Sequence, residues 1–455
     1  MQDGNDVTLG TSVRPESDAS ISTQGIASWY VTGVLMVAYA CAFLDRQILS
    51  LLVEPIKSDL HLNDTEVSLL QGIAFAGLLA LVGLPIGRLV DTRRRTPIIA
   101  LGIAFWSLMT ASCGIARSYG QLFLSRMGVG VGEACLTPSA YSLIADCFPP
   151  KRHGLVFGIY GVGVYAGLGL SYIIGGEVIR RVGSGTELVL PWIGAIRTWR
   201  LVFMAVGLPG LLVAGWVATL REPARPGSGL ETLARLPLAG VLSYFRAHWR
   251  PILLANLCIA FAAMTAYSLS AWVPTFFIRT YGWTAPQIGS RFGLIVALSG
   301  AVGYVLGGWA GDALVSRGAT AGRLNIIVVA ALTAVAPTVA APLMDDPWRA
   351  LELYCVAIFL VTMAVGLGPV VQLTLVPAGM RGMAISLGVL VVNVLGLGLG
   401  PTAVALVTDY VVGDEGKIRY ALAAMPAAML LLCAACGFFC RAPLIRRVRE
   451  LEVVR

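Results

Sequence analysis

Arg126 and Glu133 lie two helical turns apart in the segment Ser125-Arg126-Met127-Gly128-Val129-Gly130-Val131-Gly132-Glu133-Ala134. On an α-helix they share a face, and the residues around them are apolar or small. A charge at bilayer depth costs about 2.5–3.5 kcal/mol on insertion scales, so a buried arginine and glutamate mark a pathway, a proton relay or a structural pair. Each type has its own chemistry. Guanidinium is a planar fork suited to phosphate or carboxylate. A carboxyl group that alternates between desolvation and an arginine neighbour can take up and release a proton. Gly130, Thr137 and Tyr141 continue the same helical spacing and extend the pair into a polar stripe.

The elements that must carry these residues are membrane spans. Of 455 residues, 57% are hydrophobic and 13% charged, and mean hydropathy is +0.79, which excludes an ordinary soluble domain. The formal charge is +8, but the basic residues fall in short loops between apolar runs, so they read as topology signals and no nucleic-acid partner is expected. The nine cysteines lie in apolar segments and the three histidines, His61, His153 and His248, lie in or beside loops. Neither a disulfide framework, a metal site nor a cofactor is indicated. No metal-ligand cluster, serine–histidine–aspartate set or phosphate loop suggests an enzyme.

Twelve apolar runs reach the about 20 residues a span needs; the fourth covers 119–147 and holds Arg126 and Glu133. The expected organisation is a polar, disordered tail at 1–27, a six-helix bundle at 28–220, a linker at 221–249, a second six-helix bundle at 250–440, and a basic tail at 441–455. Around Leu230 to Phe245 the linker reads either as an amphipathic surface helix or as a plain flexible connection. The bias of arginine and lysine between loops places both termini in the cytoplasm of a multi-pass inner-membrane protein.

Gly87-x-x-x-Asp91, with Arg93 and Arg95 after the second span, reappears as Gly308-x-x-x-Asp312 with Arg317 after the eighth. A repeat in the same order means duplicated halves. The first copy matches the loop signature of the major facilitator superfamily. Glycine there permits close helix approach, and a carboxylate at a helix end near arginines can form a latch. The resemblance implies that Gly87, Asp91, Arg93, Arg95, Gly308 and Asp312 gate, the alternative being a plain positive-inside anchor.

At 1.5 Å per residue, Asp45 lies about 12 Å and Arg126 about 10 Å from the outer ends of their spans, with Glu133 about 10 Å deeper. The resemblance to the major facilitator superfamily implies that the first and fourth helices both face a central cavity, so Asp45 and Arg126, nearly level, are expected to pair. Arg46, about 100° around the helix from Asp45, can hold an anionic head group. A fixed internal network of all four charges is the alternative. Across the cavity, Tyr267, Ser268, Trp272 and Thr362 would offer a neutral wall.

Leu44-Asp45-Arg46, Gly102-Ile103-Ala104-Phe105-Trp106-Ser107, Arg126 with Gly130-Val131-Gly132-Glu133-Ala134, and Ile144-Ala145-Asp146-Cys147-Phe148 resemble the Spinster family over much of 29–180. The resemblance implies an all-α integral membrane protein of the major facilitator fold, with twelve transmembrane helices in two bundles around a central cavity. It also implies proton-linked or facilitated carriage of amphiphiles such as lysophospholipids, with Asp45, Arg46, Arg126 and Glu133 as functional positions. Glu133 leads as proton carrier, with Asp45 second. Arg46, Arg126, Thr137, Tyr141, Tyr267, Ser268, Trp272 and Thr362 are the expected substrate-binding set. The expected partners are the bilayer, protons and an amphiphilic or anionic small molecule, the chain acting as a monomer. A small organic acid moved with a proton stays open beside the amphiphile.

Overall fold

The computed structural model describes residues 18–148, 153–182, 187–190, 194–222, 238–377 and 380–453. The first half runs α1 (Asp18–Gln47), a 3-10 turn (Ile48–Leu51), α2 (Val53–Leu60), α3 (Asp64–Gln71), α4 (Ile73–Thr92), α5 (Arg95–Cys113), α6 (Tyr119–Glu133), α7 (Leu136–Cys147) and α8 (His153–Val182). Strands β1 (Glu187–Leu190) and β2 (Gly194–Arg197) follow, then α9 (Thr198–Gly207) and α10 (Pro209–Ala218). After α11 (Leu238–Ala247) the second half comprises α12 (Trp249–Tyr281), α13 (Ala285–Ser316), α14 (Gly322–Leu343), α15 (Pro347–Gly366), α16 (Gly368–Thr374) and α17 (Arg381–Val391). A π-helical stretch (Val392–Leu399), α18 (Gly400–Leu406), a second π-helical turn (Val407–Val412) and α19 (Ile418–Val453) complete it.

Eleven helical stretches among the described residues are long and apolar enough to cross a membrane. The expected fourth span appears instead as α6 and α7, interrupted at Ala134 and Cys135. Glu133 therefore ends a helix within the bundle, a placement that apolar run length alone does not show. The antiparallel hairpin of β1 and β2 was not foreseen; it occupies part of the loop after the fifth span. Residues 1–17 and 223–237 lie outside the described residues, so the first part of the expected tail and the linker's centre do too. From Asp18 the chain is already helical, and α11 forms the last part of the linker.

Local chemistry fixes the turns that matter for the site. His61 ends α2 in the left-handed conformation (φ 53°). Two residues later Asn63 and Glu66 exchange backbone and side-chain bonds of 2.8 and 2.9 Å in a capping box that starts α3. In a bilayer the two halves gain little from hydrophobicity, so they pack through small residues. Gly169 of α8 and Gly293 of α13 lie backbone to backbone: a Cβ on Gly169 would come within 2.4 Å of the Gly293 carbonyl. Likewise a Cβ on Gly72, between α3 and α4, would lie 2.6 Å from the carbonyls of Leu397 and Gly398.

Candidate functional site

Glycines bring α6 close enough to place Glu133. A Cβ at Gly130 would meet the Phe75 carbonyl of α4 at 2.4 Å, and one at Gly132 would meet Trp106 of α5 at 2.7 Å. This packing sets Glu133 opposite the last turn of α1, where Arg46 Nη2 donates to Glu133 Oε2 in an ion pair. The Arg46 guanidinium also lies over the Phe75 and Phe43 rings, 4.2 and 4.9 Å from their centroids. The two side chains are 11% and 4% exposed. Arg46 Nε and Glu133 Oε1 are buried without a hydrogen-bond partner, so the pair keeps one open donor and one open acceptor.

The pairing of the Asp45 carboxylate with Arg126 is not formed. Arg126 donates instead to the main-chain carbonyls of Asp45 (3.1 Å), Arg46 (3.2 Å) and Leu70 (3.5 Å). The reason lies in the backbone: α1 and α3 both end here, and the last carbonyls of a helix have no N–H partner of their own. Equal depth along two spans does not reveal that a helix end claims the guanidinium. Asp45 is 2% exposed and makes no ion pair among the described residues. The four expected charges do share one neighbourhood.

Beyond the break, Thr137 is half-buried and Tyr141 is 38% exposed. The Tyr141 ring meets Tyr160 edge-on at 5.4 Å, and Tyr160 stacks on Tyr39 at 5.0 Å. From the second half, Tyr267 packs against the same cluster as Tyr39, and Tyr304 tilts against Tyr165 at 5.6 Å. Tyr39, Tyr160, Tyr165 and Tyr304 were not anticipated; their signal was a phenol tip inside an otherwise apolar span. Three expected lining residues of the second half are held in packing. Ser268 faces the Met429 sulfur at 3.9 Å, Trp272 Nε1 donates to Pro401 O at 2.9 Å, and Thr362 donates to Phe359 O at 3.0 Å. Thr362 bonds back to its own turn, as hydroxyls in apolar helices do, whereas Ser268 and Trp272 reach across to neighbouring elements.

At one end of the molecule the halves are clamped by charge. Lys57 pairs with Asp64 and with Glu415. Arg279 binds Asp64 at 2.7 and 2.8 Å, Glu54 at 2.7 Å and Glu415 at 3.6 Å. Asp409 accepts from the backbone N–H and the hydroxyl of Thr65 at 2.7 and 2.6 Å. Glu54, Lys57, Asp64 and Thr65 belong to the first half; Arg279, Asp409 and Glu415 belong to the second. Sequence reasoning missed this cluster because charges at span ends read as topology signals. Asp64, Asp409 and Glu415 offer oxygens within 4.8 Å of one another, and Lys57 and Arg279 answer their charge.

Only part of the repeated loop motif is described down to its side chains. The surroundings of Gly87 and the side chain of Asp91 lie outside what the structure describes, and Arg93 is exposed. Arg95 is 1% exposed and donates through its backbone N and Nε to Glu222 at 2.9 and 2.8 Å, with a further ion pair to Asp146. Gly308 has open space where a Cβ would stand, so no helix approaches it there. Asp312 pairs with Arg323 at 2.8 Å, not with Arg317. None of these pairs joins the first half to the second.

Residues 35–401 match the sequence profile of the Major Facilitator Superfamily. The chain belongs to the Major Facilitator Superfamily. As a major facilitator chain it is a membrane-embedded transporter. It is 27% identical to an MFS-type efflux pump of Mycolicibacterium smegmatis over 93% of this chain and 95% of that protein. It is also 27% identical to a probable L-galactonate transporter of Escherichia coli, over 63% of this chain and 62% of that one. The resemblance to Spinster extends to three dimensions. A crystal structure of a bacterial homologue of the human lysosomal transporter Spinster, inward-facing and unoccupied, superposes with a TM-score of 0.79 at 27% identity, covering 92% of this chain and 98% of that one.

Proposed function

We propose that this major facilitator is a proton-coupled carrier of an amphiphilic anion or zwitterion, with Arg46 and Glu133 as the coupling pair. The observation that carries this reading is the buried Arg46–Glu133 ion pair with its free Nε and Oε1. While Glu133 is charged it neutralises Arg46. A proton on Glu133 releases the guanidinium, which then needs another anion, because a buried unpaired charge is strongly unfavourable. Proton and anionic substrate therefore favour each other's binding, the condition for moving both in the same direction. A cationic substrate would compete with the proton at Glu133 and give exchange. The tyrosines at 39, 141, 160 and 267 supply a partly apolar wall beside the pair, suited to an acyl or ring tail. Asp45 is a second proton carrier in this reading, and Thr137 completes the polar side, while Arg126 is taken up by the carbonyls at the helix ends.

The charged clamp faces the cell exterior in this arrangement. Arg93 to Arg95 and Arg446 to Arg449 lie toward the opposite end, where positive residues gather on the cytoplasmic side. The clamped state would thus open to the cytoplasm, in an inner-membrane monomer with both termini inside. A small organic acid moved with a proton is the second reading: the likeness to a probable L-galactonate transporter favours it, and the same Arg46 fork would serve it.

Counterflow in proteoliposomes separates the readings. Vesicles loaded with lysophosphatidate, lysophosphatidylcholine or galactonate are diluted into labelled ligand. Exchange of either lysolipid without galactonate supports the amphiphile; galactonate alone supports the acid; no exchange of any of the three contradicts both.

A further inference from the structure

Arg126 is fully buried at 0% exposure, and it donates to three main-chain carbonyls. Two of these acceptors, Asp45 O and Arg46 O, belong to the last turn of α1; the third, Leu70 O, belongs to the last turn of α3. A cation at the carboxyl end of a helix is stabilised by the aligned peptide dipoles, and here one guanidinium serves two such ends. Its planar fork is what allows donors to point at both.

The two ends lead to different places. One acceptor is the carbonyl of Arg46 itself, so a shift of the coupling side chain's backbone pulls directly on Arg126. Beyond α1 the chain enters the 3-10 turn and α2, which carries Glu54 and Lys57 of the clamp. The other acceptor closes α3, a rod about 12 Å long whose first residue is Asp64 and whose second is Thr65, both clamp residues. Just past Leu70, the chain passes Gly72, pressed against the carbonyls of Leu397 and Gly398 in the opposite half.

We propose that Arg126 is a positioning residue that couples the Arg46–Glu133 pair to the charged clamp by holding the ends of α1 and α3 as one unit. The proposal rests on the coupling role given above to Arg46 and Glu133. Releasing Arg46 from Glu133 moves the end of α1, and Arg126 carries that movement to the end of α3 and along it to Asp64. Without Arg126 both sites persist but no longer sense each other.

A double-mutant cycle tests this without a transported ligand. Azide-bearing residues replace exposed Ser58 and exposed Asp345, one in each half at the clamped end, and clicked dyes report clamp opening by energy transfer in full-length protein in proteoliposomes. With Arg126 present, Glu133→Gln raises the open-to-closed ratio about 5-fold or more, whereas with Arg126→Gln or Arg126→Lys the same change moves it less than about 1.5-fold. Lysine keeps the charge but lacks the fork, so Arg126→Lys decides the matter if Arg126→Gln does not fold. A shift of about 5-fold retained in the Arg126→Lys background overturns the role of Arg126 alone. No shift on Glu133→Gln with Arg126 intact overturns the coupling role of the central pair as well.

Discussion

Asp64 and Arg279 meet across the boundary between the two halves through hydrogen bonds of 2.7 and 2.8 Å. Asp64 is 0% exposed and also receives Lys57, so it is a carboxylate held between two cations. Removing one partner of such a buried pair costs about 3–5 kcal/mol, because the other charges stay behind. Asp64→Asn should therefore shift the clamp strongly toward opening. A membrane-impermeant maleimide should react faster with Ala271→Cys, a buried α12 position in the core beside the clamp, in the Asp64→Asn background than in the parent. Equal rates would mean that the pair does not hold this end shut.

Arg95 and Glu222 form a second clamp, between the first half and the start of the linker, and it responds to pH in a defined direction. Burial raises the Glu222 carboxyl, but the backbone and side-chain donors of Arg95, with the Thr96 N–H, outweigh it and hold Glu222 below the usual glutamate value. A carboxyl group lowered on folding contributes stability that is present above its unfolded value and lost as pH falls through its folded one. Acidification below the ordinary glutamate range should thus destabilise the parent more than Glu222→Gln. At neutral pH the substitution should cost about 1–3 kcal/mol. Thermal unfolding in detergent across pH measures both, and parallel pH profiles for the two proteins would contradict the assignment.

Gly169 and Gly293 have no room for a side chain on the other's backbone. Gly169→Val should force α8 and α13 apart at a cost of about 1–3 kcal/mol, seen as a lower melting temperature. Gly308→Ala, at a motif glycine with open space around its Cβ position, should change it little. If the two substitutions have the same effect, close approach at Gly169 is not what holds the halves together.

How much of this was legible in the sequence follows from what each feature depends on. Span lengths and the division into halves follow from hydropathy and repetition, whereas the grouping of Asp45, Arg46, Arg126 and Glu133 comes from their depth along the spans together with the family resemblance. The partner of each charge follows from none of these. Arg126 went to carbonyls because α1 and α3 stop beside it, and helix ends inside an apolar run leave no trace in composition. Arg279, at the end of α12, reads as a loop signal until Asp64 and Glu415 are brought to it from opposite halves. Trp272 looked like a cavity residue by position, yet its indole N–H is taken by Pro401 O.

The central claim is that a proton on Glu133 frees Arg46 for an anion, and substrate-driven proton flux measures this directly. Proteoliposomes enclosing a pH-sensitive dye are given an anionic lysolipid that the parent protein exchanges in counterflow. The account predicts internal acidification with the parent, and a fall of at least about tenfold with Glu133→Gln while lysolipid counterflow persists. Glu133→Gln protein that acidifies the vesicles at the parent's rate would contradict it.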